Sequence, residues 1–270
     1  MDIRHDTLPM VDIGTIATTD VFIAAWRYMT GQYPGHVAAR IGTLDVMLSQ
    51  TVCTFFNMLA INAPIADAAG LRQAIDTARG YADRCPYDTM FLIPPEFLPD
   101  GAEAVLDDTG VSFSMSLSGM ATDRLAPPRR EAPALEFRFA RDEGTALDLG
   151  RVNADAYGMA RETFAITGHI PHWSGTHFGV VGYAGGRAVT AAQAYLLGDC
   201  IYVAMVATLP DCHGKGYGEG AMRHAITAAQ EASDAGRLWL HATDMGRPLY
   251  RSMGFADGAR VDLYSFGSHA

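Results

Sequence analysis

The chain has 270 residues, of which 49% are hydrophobic and 19% are charged. This composition excludes a disordered or collagen-like protein, and the length is sufficient for two domains of ordinary size. The net charge is -10, from 20 Lys and Arg against 30 Asp and Glu, and this argues against general binding to nucleic acid or to an anionic membrane.

The sequence predicts neither export nor membrane insertion. Its first residues include Asp2, Arg4 and Asp6 and lack the apolar stretch of a signal peptide. The apolar run 52–61 is interrupted by polar residues and is shorter than the roughly 18 residues of a membrane span. The four cysteines form no CxxC pair, which favours a reducing compartment, and we expect a cytoplasmic protein.

A proline-rich and charged segment divides the chain near its middle. Residues 126–133, APPRREAP, contain three prolines and three charges. Such a composition is typical of a linker. We predict an N-terminal domain over 1–125, a linker over 126–133 and a C-terminal domain over 134–270.

The C-terminal half reads as a mixed α/β domain. A strand near 135–144 and a helix over 145–160 precede three antiparallel strands, with hairpin turns at Gly185-Gly186 and Gly198-Asp199. A helix from Gly218 to about Gly236, a strand, a short helix stopped by a glycine, and a last strand to Phe266 follow.

The N-terminal half shows a related order of elements. An amphipathic helix over 22–29 is followed by two strands ending near 64, a helix over 71–78, strand 90–94, a helix and a strand. Two alignments of the halves differ in offset by only two residues: Pro64 on Pro210, which places Gly70 on Gly216, and Gly110 on Gly254, which places Leu106 on Tyr250. This pattern predicts a partial internal repeat.

The segment 206–220, VATLPDCHGKGYGEG, carries the most informative motif. It predicts a strand, a glycine-rich turn and the start of a helix, with glycines at alternate positions: Gly214, Gly216, Gly218 and Gly220. Such a turn brings the unpaired amides of a helix N-terminus close to a ligand, and Lys215 adds a positive charge. Each charge at a helix N-terminus contributes only about 0.3 to 1 kcal/mol, so several groups must converge on a pyrophosphate.

Two other nucleotide motifs are excluded by the same residues. A Walker A loop needs Ser or Thr after the lysine, whereas Lys215 is followed by Gly216. A dinucleotide fingerprint is formally present as Gly216-x-Gly218-x-x-Ala221, with Asp244 downstream. Only 26 residues follow Asp244, too few for the remaining strands and helices of that fold.

With the residues downstream included, the sequence resembles the GNAT acetyltransferase superfamily. Segment 206–220 is similar to that family's [RQ]-x-x-G-x-[GA] acyl-CoA loop, with Gly216 and Gly218 in the glycine places and His213 where Arg or Gln is usual. Segment 240–255, LHATDMGRPLYRSMGF, is similar to the second signature, with Tyr250 in a short helix before Gly-Phe. The resemblance covers Leu135 to about Ser265.

The resemblance implies a fold and a reaction. The expected fold is α/β, with two GNAT-like domains that each have a mostly antiparallel sheet flanked by helices. The expected reaction is direct transfer of an acetyl group from acetyl-CoA, a cosubstrate, to a primary amine of a small molecule. Backbone groups of Val206, Ala207 and Thr208 would hold the pantetheine arm. The loop would hold the pyrophosphate through His213, Gly214, Lys215, Gly216, Tyr217 and Gly218.

Tyr250 is the predicted catalytic acid. A thiol has a pKa of about 8.5 and a phenol one of about 10, so a tyrosine hydroxyl is a suitable proton donor to the leaving thiolate. The family often has Glu in the strand before the loop, and this chain has no carboxylate there. The base candidates are Glu162, His172, Asp199, His241 and Asp244, with His241 and Glu162 ranked first.

Several other residues are predicted to have structural rather than catalytic or metal-binding roles. His169, His172 and His177 lack a matching ligand pattern, and we predict no metal site. Cys212 and His213 are adjacent in a tight turn, which favours ordinary loop residues over a nucleophile and its base. By the resemblance, four aromatic residues fall on the acceptor side, where they would line a pocket or pack in the core: Tyr157, Phe164, Trp173 and Phe178.

The alignment predicts that the N-terminal half does not bind CoA. It places Asp67 at His213 and Arg72 at Gly218, where a pyrophosphate needs bare backbone, and Leu106 at the tyrosine. We expect a degenerate domain that serves packing and substrate selection. Two other functions stay open, a non-catalytic acyl-CoA sensor or interaction module and a protein N-acetyltransferase, and the sequence identifies neither the acceptor nor an oligomeric state.

Overall fold

The structure is a computed structural model that describes residues 13–131, 133–168, 173 and 175–266, apart from the side chain of Ile166. It contains six α-helices within these residues: α1 (Thr15–Gly31), α2 (Ala68–Ala82), α3 (Ala102–Asp108), α4 (Glu143–Tyr157), α5 (Tyr217–Glu231) and α6 (Arg247–Ser252). The strands are β1 (Val37–Ile41), β2 (Leu44–Leu48), β3 (Asn57–Ile61), β4 (Met90–Ile93), β5 (Val111–Thr122), β6 (Glu136–Phe139), β7 (His177–Ala184), β8 (Arg187–Leu197), β9 (Cys200–Thr208), β10 (Arg237–Ala242) and β11 (Ala256–Phe266).

All eleven strands form one sheet, in the order β1-β2-β3-β4-β11-β5-β10-β9-β8-β7-β6. The pairs β3·β4 and β9·β10 are parallel, and the other eight neighbouring pairs are antiparallel. The predicted fold class, a mostly antiparallel sheet flanked by helices, is confirmed.

The last strand of each half pairs with the other half. β5 lies between β10 and β11, and β11 lies between β4 and β5. Within β11, Val261 is opposite Leu117 of β5 and Leu263 is opposite Leu92 of β4. A half that kept its own last strand would pair β4 with β5, or β10 with β11. The two halves have therefore exchanged these strands, and the expectation of two separate sheets is replaced by one continuous sheet.

The helices cover both faces of this sheet. α1 and α4 pack on one face, and α2, α3, α5 and α6 pack on the other. In α5 four apolar residues at helical spacing are buried against the sheet: Met222, Ala225, Ile226 and Ala229. None of the helices in the described residues is both long and apolar enough to span a membrane.

Both predicted hairpins are confirmed, whereas one strand was not predicted and the bounds of several elements differ. Gly185, Gly186 and Gly198 have positive φ, as tight hairpin turns require. The N-terminal half has three strands before α2 rather than two. The unpredicted one, β1, is an edge strand of mostly exposed residues, so it lacks a clear apolar pattern. α5 ends at Glu231 rather than near Gly236, and the last strand, β11, runs from Ala256 to the predicted end at Phe266.

Candidate active site

β9 and β10 separate partway along their length and leave a wedge in the sheet. Their parallel pairing ends at Tyr202 and Trp239. Beyond that point β9 continues to Thr208 beside β8, and β10 continues to Ala242 beside β5. Beyond these residues β9 and β10 do not pair with each other in the described chain, and a ligand between them can form hydrogen bonds to their backbone.

A bulge in β9 opens this wedge. The β8·β9 register shifts between Ala191 and Gln193, so that two residues of β9, Met205 and Val206, face one residue of β8. Met205 has φ of 52°. A non-glycine residue in this region costs on the order of 1 kcal/mol or more, and such strain is concentrated at functional sites.

Val206, Ala207 and Thr208, which the resemblance assigns to the pantetheine arm, lie along the wedge. Their carbonyls accept hydrogen bonds from the chain itself: Val206 from the Tyr157 hydroxyl at 3.0 Å, Ala207 from the Thr190 hydroxyl at 2.8 Å and Thr208 from His213 Nε2 at 2.8 Å. The sequence did not indicate these bonds. Tyr157 is the last residue of α4, and 48% of its surface is exposed.

The glycine-rich loop leads directly from the wedge to the start of α5. Gly214 and Gly216 have φ of 74° and 77°, which explains the glycines at these positions. Gly218 allows a close approach, because a Cβ added there would lie 3.2 Å from Thr208 Oγ1 and 3.9 Å from Val206 Cγ1. The loop and the strand end therefore form one surface.

The N-terminus of α5 has no side-chain cap. Gly216 precedes the helix, and the amides of Tyr217, Gly218 and Glu219 have no acceptor in the described residues. Their partial positive charge points toward the loop, where a phosphate can accept from them. This geometry fits the predicted pyrophosphate site.

Positive side chains surround the same loop. Lys215 folds back so that its Nζ donates to the Asp211 carbonyl at 3.2 Å. Arg130 donates to the Gly214 carbonyl at 2.7 Å. Arg187 pairs with Asp211 at 2.6 Å and lowers the pKa of that carboxyl through its hydrogen bond. Arg130 is a functional candidate that the sequence did not reveal, because it lies in the predicted linker.

Tyr250 lies in α6 beside the wedge. Its ring is half-buried against the α5 face of the sheet and contacts Phe255 edge-on at 6.2 Å. Its hydroxyl forms no hydrogen bond within the described residues. Burial, with a smaller contribution from nearby Tyr157, raises the pKa of Tyr250 well above its usual value. The phenol is therefore protonated at neutral pH and available as a donor.

His241 lies on the opposite face of the sheet, under α1. Its Nδ1 is 2.9 Å from the Tyr202 hydroxyl, and the ring of Phe22 contacts it edge-on at 4.9 Å. Nε2 is buried and has no hydrogen-bond partner in the described residues. Burial lowers the pKa of His241 to about 3. The imidazole is neutral at pH 7 but too weak a base to take a proton from an ammonium group.

The other base candidates lie away from the wedge or outside the described chain. Asp199 precedes β9, six to seven residues before the bulge, which is roughly 20 Å along a strand. The Asp244 side chain is 92% exposed and pairs with Arg247. Glu162 is an exposed residue of the 3-10 segment Arg161–Gly168 and lines a cavity together with Thr51 and Thr163. His172 is outside the described residues.

The remaining predicted residues have mainly structural surroundings. Cys212 is buried, whereas His213 is exposed and bonds Thr208, so the two side chains point to different environments. His177 stacks on Tyr195, with 4.1 Å between ring centroids. In the described residues no group of three His, Cys, Asp or Glu could hold a metal ion, and His169 and His172 lie outside them.

Three of the four aromatic residues on the predicted acceptor side are core residues. Phe164 and Trp173 are buried, with Trp173 donating to the Thr167 carbonyl at 2.7 Å. Phe178 packs with the α5 cluster on the other face of the sheet. Tyr157 alone borders the wedge.

The N-terminal half repeats the strand-loop-helix geometry with a different helix start. α2 begins after Asp67, whose carboxylate accepts from the Gly70 amide at 2.8 Å and caps the helix. When α2 and α5 are aligned at their first residues, Asp67 corresponds to Gly216. The predicted match of Gly70 with Gly216 is therefore three residues out of register. The other predicted match agrees with the structure, because Gly110 and Gly254 both follow their helices by two residues with positive φ.

Comparisons with known proteins agree with this geometry. Residues 152–255 match the family model described as "Acetyltransferase (GNAT) family". A search among curated proteins found no match. The matched segment lies in the C-terminal half and includes the wedge strand β9, the glycine-rich loop and Tyr250.

Solved structures share this fold over nearly the whole chain. A GCN5-related N-acetyltransferase from Kribbella flavida has a TM-score of 0.68 and 19% identity, with 97% of this chain and 98% of that chain covered. An acetyltransferase from the GNAT family of Novosphingobium aromaticivorans has a TM-score of 0.57 and 15% identity, covering 94% and 99%. A tandem GNAT protein from the clavulanic acid biosynthesis pathway has a TM-score of 0.52 and 13% identity, covering 95% and 96%. At these identities the likeness concerns the fold.

Proposed function

We propose that this protein is an N-acetyltransferase that moves an acetyl group from acetyl-CoA directly to a primary amine of a small molecule. The observation that carries the proposal is the continuity of three features around Val206: the wedge beside β9, the uncapped start of α5 and the Tyr250 hydroxyl. Together they match the three parts of an acyl-CoA, its pantetheine arm, its pyrophosphate and its thioester.

The first role of the protein is to bind and align the thioester. Amides at the start of α5, together with Lys215 and Arg130, hold the pyrophosphate. The free backbone edge of β9 holds the pantetheine arm, and the Tyr157 hydroxyl leaves the Val206 carbonyl as that arm enters. This alignment converts a reaction between two molecules into one within a single complex.

The second role is to supply a proton to the leaving group. The amine nitrogen attacks the thioester carbonyl, a C–N bond forms and the C–S bond breaks. Tyr250 donates its proton to the departing thiolate, because its buried phenol stays protonated at neutral pH and is available as a donor. His241 does not act as a base, because its pKa is about 3. It holds the Tyr202 hydroxyl, and the proton of the amine leaves through water.

A small acceptor is favoured over a protein because the acceptor face is covered. α1 from the N-terminal half crosses the sheet so closely that a Cβ on Gly119 would lie 2.2 Å from Thr18 Cγ2. Gly119 is the register partner of His241, so α1 closes this face beside the wedge. A side chain on a folded protein would have to pass this helix.

The cytoplasm stays our predicted location, and the four cysteines are free thiols.

A thiol-release assay with acetyl-CoA and a panel of small amines and amine-bearing peptides tests the proposal. We expect release of CoA that depends on a small amine, with the N-acetylated product identified by mass spectrometry. Acetyl-CoA binding without turnover of any amine would support a sensor instead. Turnover of peptides alone would support a protein N-acetyltransferase.

A further inference from the structure

The predicted linker is fixed against the C-terminal half at both of its ends. At one end the Ala126 amide donates to the Met253 carbonyl at 2.8 Å, and the Ala126 carbonyl accepts from Arg223 of α5 at 2.8 Å. At the other end Pro133 packs on the first turn of α5, because a Cβ added to Gly220 would lie 3.0 Å from Pro133 Cγ. The linker therefore runs beside the start of α5.

Between these two ends, Arg130 of the linker contacts the glycine-rich loop. Its Nη1 donates to the Gly214 carbonyl at 2.7 Å. Within the described residues Arg130 forms no ion pair, so no carboxylate there neutralises its charge. We propose that Arg130 is a positioning residue for the pyrophosphate of acetyl-CoA, and that the linker is thereby part of the cofactor site. The inference rests on the proposed function and deepens it.

The hydrogen bond from Arg130 fixes the orientation of one peptide unit. The bond between Gly214 and Lys215 is trans, and in a planar trans peptide the carbonyl and the amide point in opposite directions. A guanidinium group on the Gly214 carbonyl therefore directs the Lys215 amide away from Arg130. The amides of Lys215 and Gly216 have no acceptor in the part of the chain that the structure describes. They precede the unpaired amides at the start of α5 and extend that row of donors.

This peptide needs to be held, because packing does not fix it. Gly214 and Gly216 have φ of 74° and 77° and carry no side chain that restricts their rotation. A Cβ added to either glycine would meet no atom within 4 Å, so the loop is open on this side. A charge-assisted hydrogen bond is stronger than a neutral one, and the bond from Arg130 supplies a restraint that the loop residues themselves do not.

A positioning role at the loop predicts a dependence on the pyrophosphate and not on the thioester. Arg130 contacts Gly214, whereas the pantetheine arm is assigned to the wedge beside Val206. Acetylpantetheine carries the thioester and the pantetheine arm without a pyrophosphate, and inorganic pyrophosphate carries the anion alone. Loss of Arg130 should therefore weaken the binding of acetyl-CoA and of pyrophosphate, and should leave the binding of acetylpantetheine nearly unchanged.

The linker also provides a matched control for this residue. Arg129 is one position earlier, carries the same charge and is exposed like Arg130. Its side chain forms no hydrogen bond or ion pair among the described residues. A general attraction of positive charge for the cofactor would involve both arginines, whereas positioning through Gly214 involves Arg130 alone.

Calorimetric titration of the full chain with acetyl-CoA, inorganic pyrophosphate and acetylpantetheine tests the inference without requiring turnover. We expect Arg130→Gln to weaken acetyl-CoA binding at least about tenfold and to weaken pyrophosphate binding in the same direction. The Kd for acetylpantetheine should change by less than about twofold in the same variant. Arg129→Gln should change the Kd for acetyl-CoA by less than about threefold.

The outcomes separate this inference from the proposed function. Acetyl transfer with the same acetyl-CoA affinity in Arg130→Gln as in the unmodified chain, or with equal losses in Arg129→Gln and Arg130→Gln, overturns the inference and leaves the function intact. An equal loss for acetylpantetheine also overturns it, because Arg130 would then only support the fold of the loop. Pyrophosphate binding that depends on Arg130, without acetyl transfer to any amine, would support the inference and contradict the proposed reaction. No binding of acetyl-CoA or pyrophosphate would contradict both.

Discussion

The two halves contain the same strand-loop-helix unit with opposite helix starts. In the N-terminal half β3 leads to α2, where the Asp67 carboxylate accepts from the Gly70 amide. In the C-terminal half β9 leads to α5, where Gly216 provides no side-chain cap and has a φ of 77°. One helix start is closed by a negative charge of the chain itself, and the other is open to a negative charge from a ligand.

The loops that lead into α2 and α5 also differ in length. From Pro64 to the residue before α2 there are three steps along the chain, and from Pro210 to the residue before α5 there are six. The three additional residues include Gly214 and Lys215, which shape and charge the anion site. Leu106 and Tyr250 complete the contrast, because they occupy matching positions before Gly110 and Gly254. A strand-loop-helix unit is thus not sufficient for an anion site. The start of the helix must also be free of a capping side chain.

The largest expected effect is at Tyr250, whose counterpart in the N-terminal half is Leu106. Tyr250→Phe should lower kcat by roughly 10² to 10⁴, as expected for loss of a general acid, with acetyl-CoA affinity nearly unchanged. Steady-state kinetics and calorimetry measure the two quantities. Tyr81→Phe in α2 is the control. An unchanged kcat with a good acceptor would remove Tyr250 from the mechanism.

Converting the open helix start into a closed one should abolish cofactor binding. Gly216→Asp imitates the N-terminal half, and we expect at least about a hundredfold loss of acetyl-CoA affinity from charge repulsion and cap formation. Gly216→Asn is the matched control, because Asp and Asn both tolerate positive φ and a Cβ there meets no atom within 4 Å. If both variants lose affinity equally, shape rather than charge closes the site.

Removing the Tyr157 hydroxyl, which competes with a ligand for the Val206 carbonyl, should moderately increase the affinity for acetyl-CoA. Tyr157→Phe eliminates the hydroxyl that donates to the Val206 carbonyl at 3.0 Å. A net hydrogen bond is worth about 0.5 to 1.5 kcal/mol, so acetyl-CoA should bind roughly two- to tenfold more tightly. Weaker binding would indicate that Tyr157 contacts the ligand rather than competing with it.

The smallest effect is expected in the N-terminal half. Asp67→Ala removes the cap of α2 and should lower the free energy of unfolding by about 1 kcal/mol, measured by urea denaturation. Asp142→Ala provides a comparison, because Asp142 caps α4 through the Thr145 amide at 2.9 Å. Neither variant should change the number of acetyl-CoA molecules bound. A second bound equivalent in Asp67→Ala would mean that the cap alone blocks a latent site.

Local features of this molecule were predictable from the sequence, and long-range ones were not. Glycine positions and apolar spacing predicted the loop, α5 and both hairpins, because these depend on residues close in the chain. The exchange of β5 and β11 depends on pairing between segments far apart in the chain, such as Val261 with Leu117. The Arg130 contact with Gly214 and the Tyr202–His241 pair join distant segments. The repeat was misaligned at Gly70 because the loops differ in length.

Titration of the purified full chain with acetyl-CoA, followed by calorimetry, tests the central claim most directly. The open helix start predicts one equivalent bound per chain, and the Gly216→Asp variant should bind none. No binding by the unmodified chain, or two equivalents per chain, would contradict the assignment of one open and one closed site.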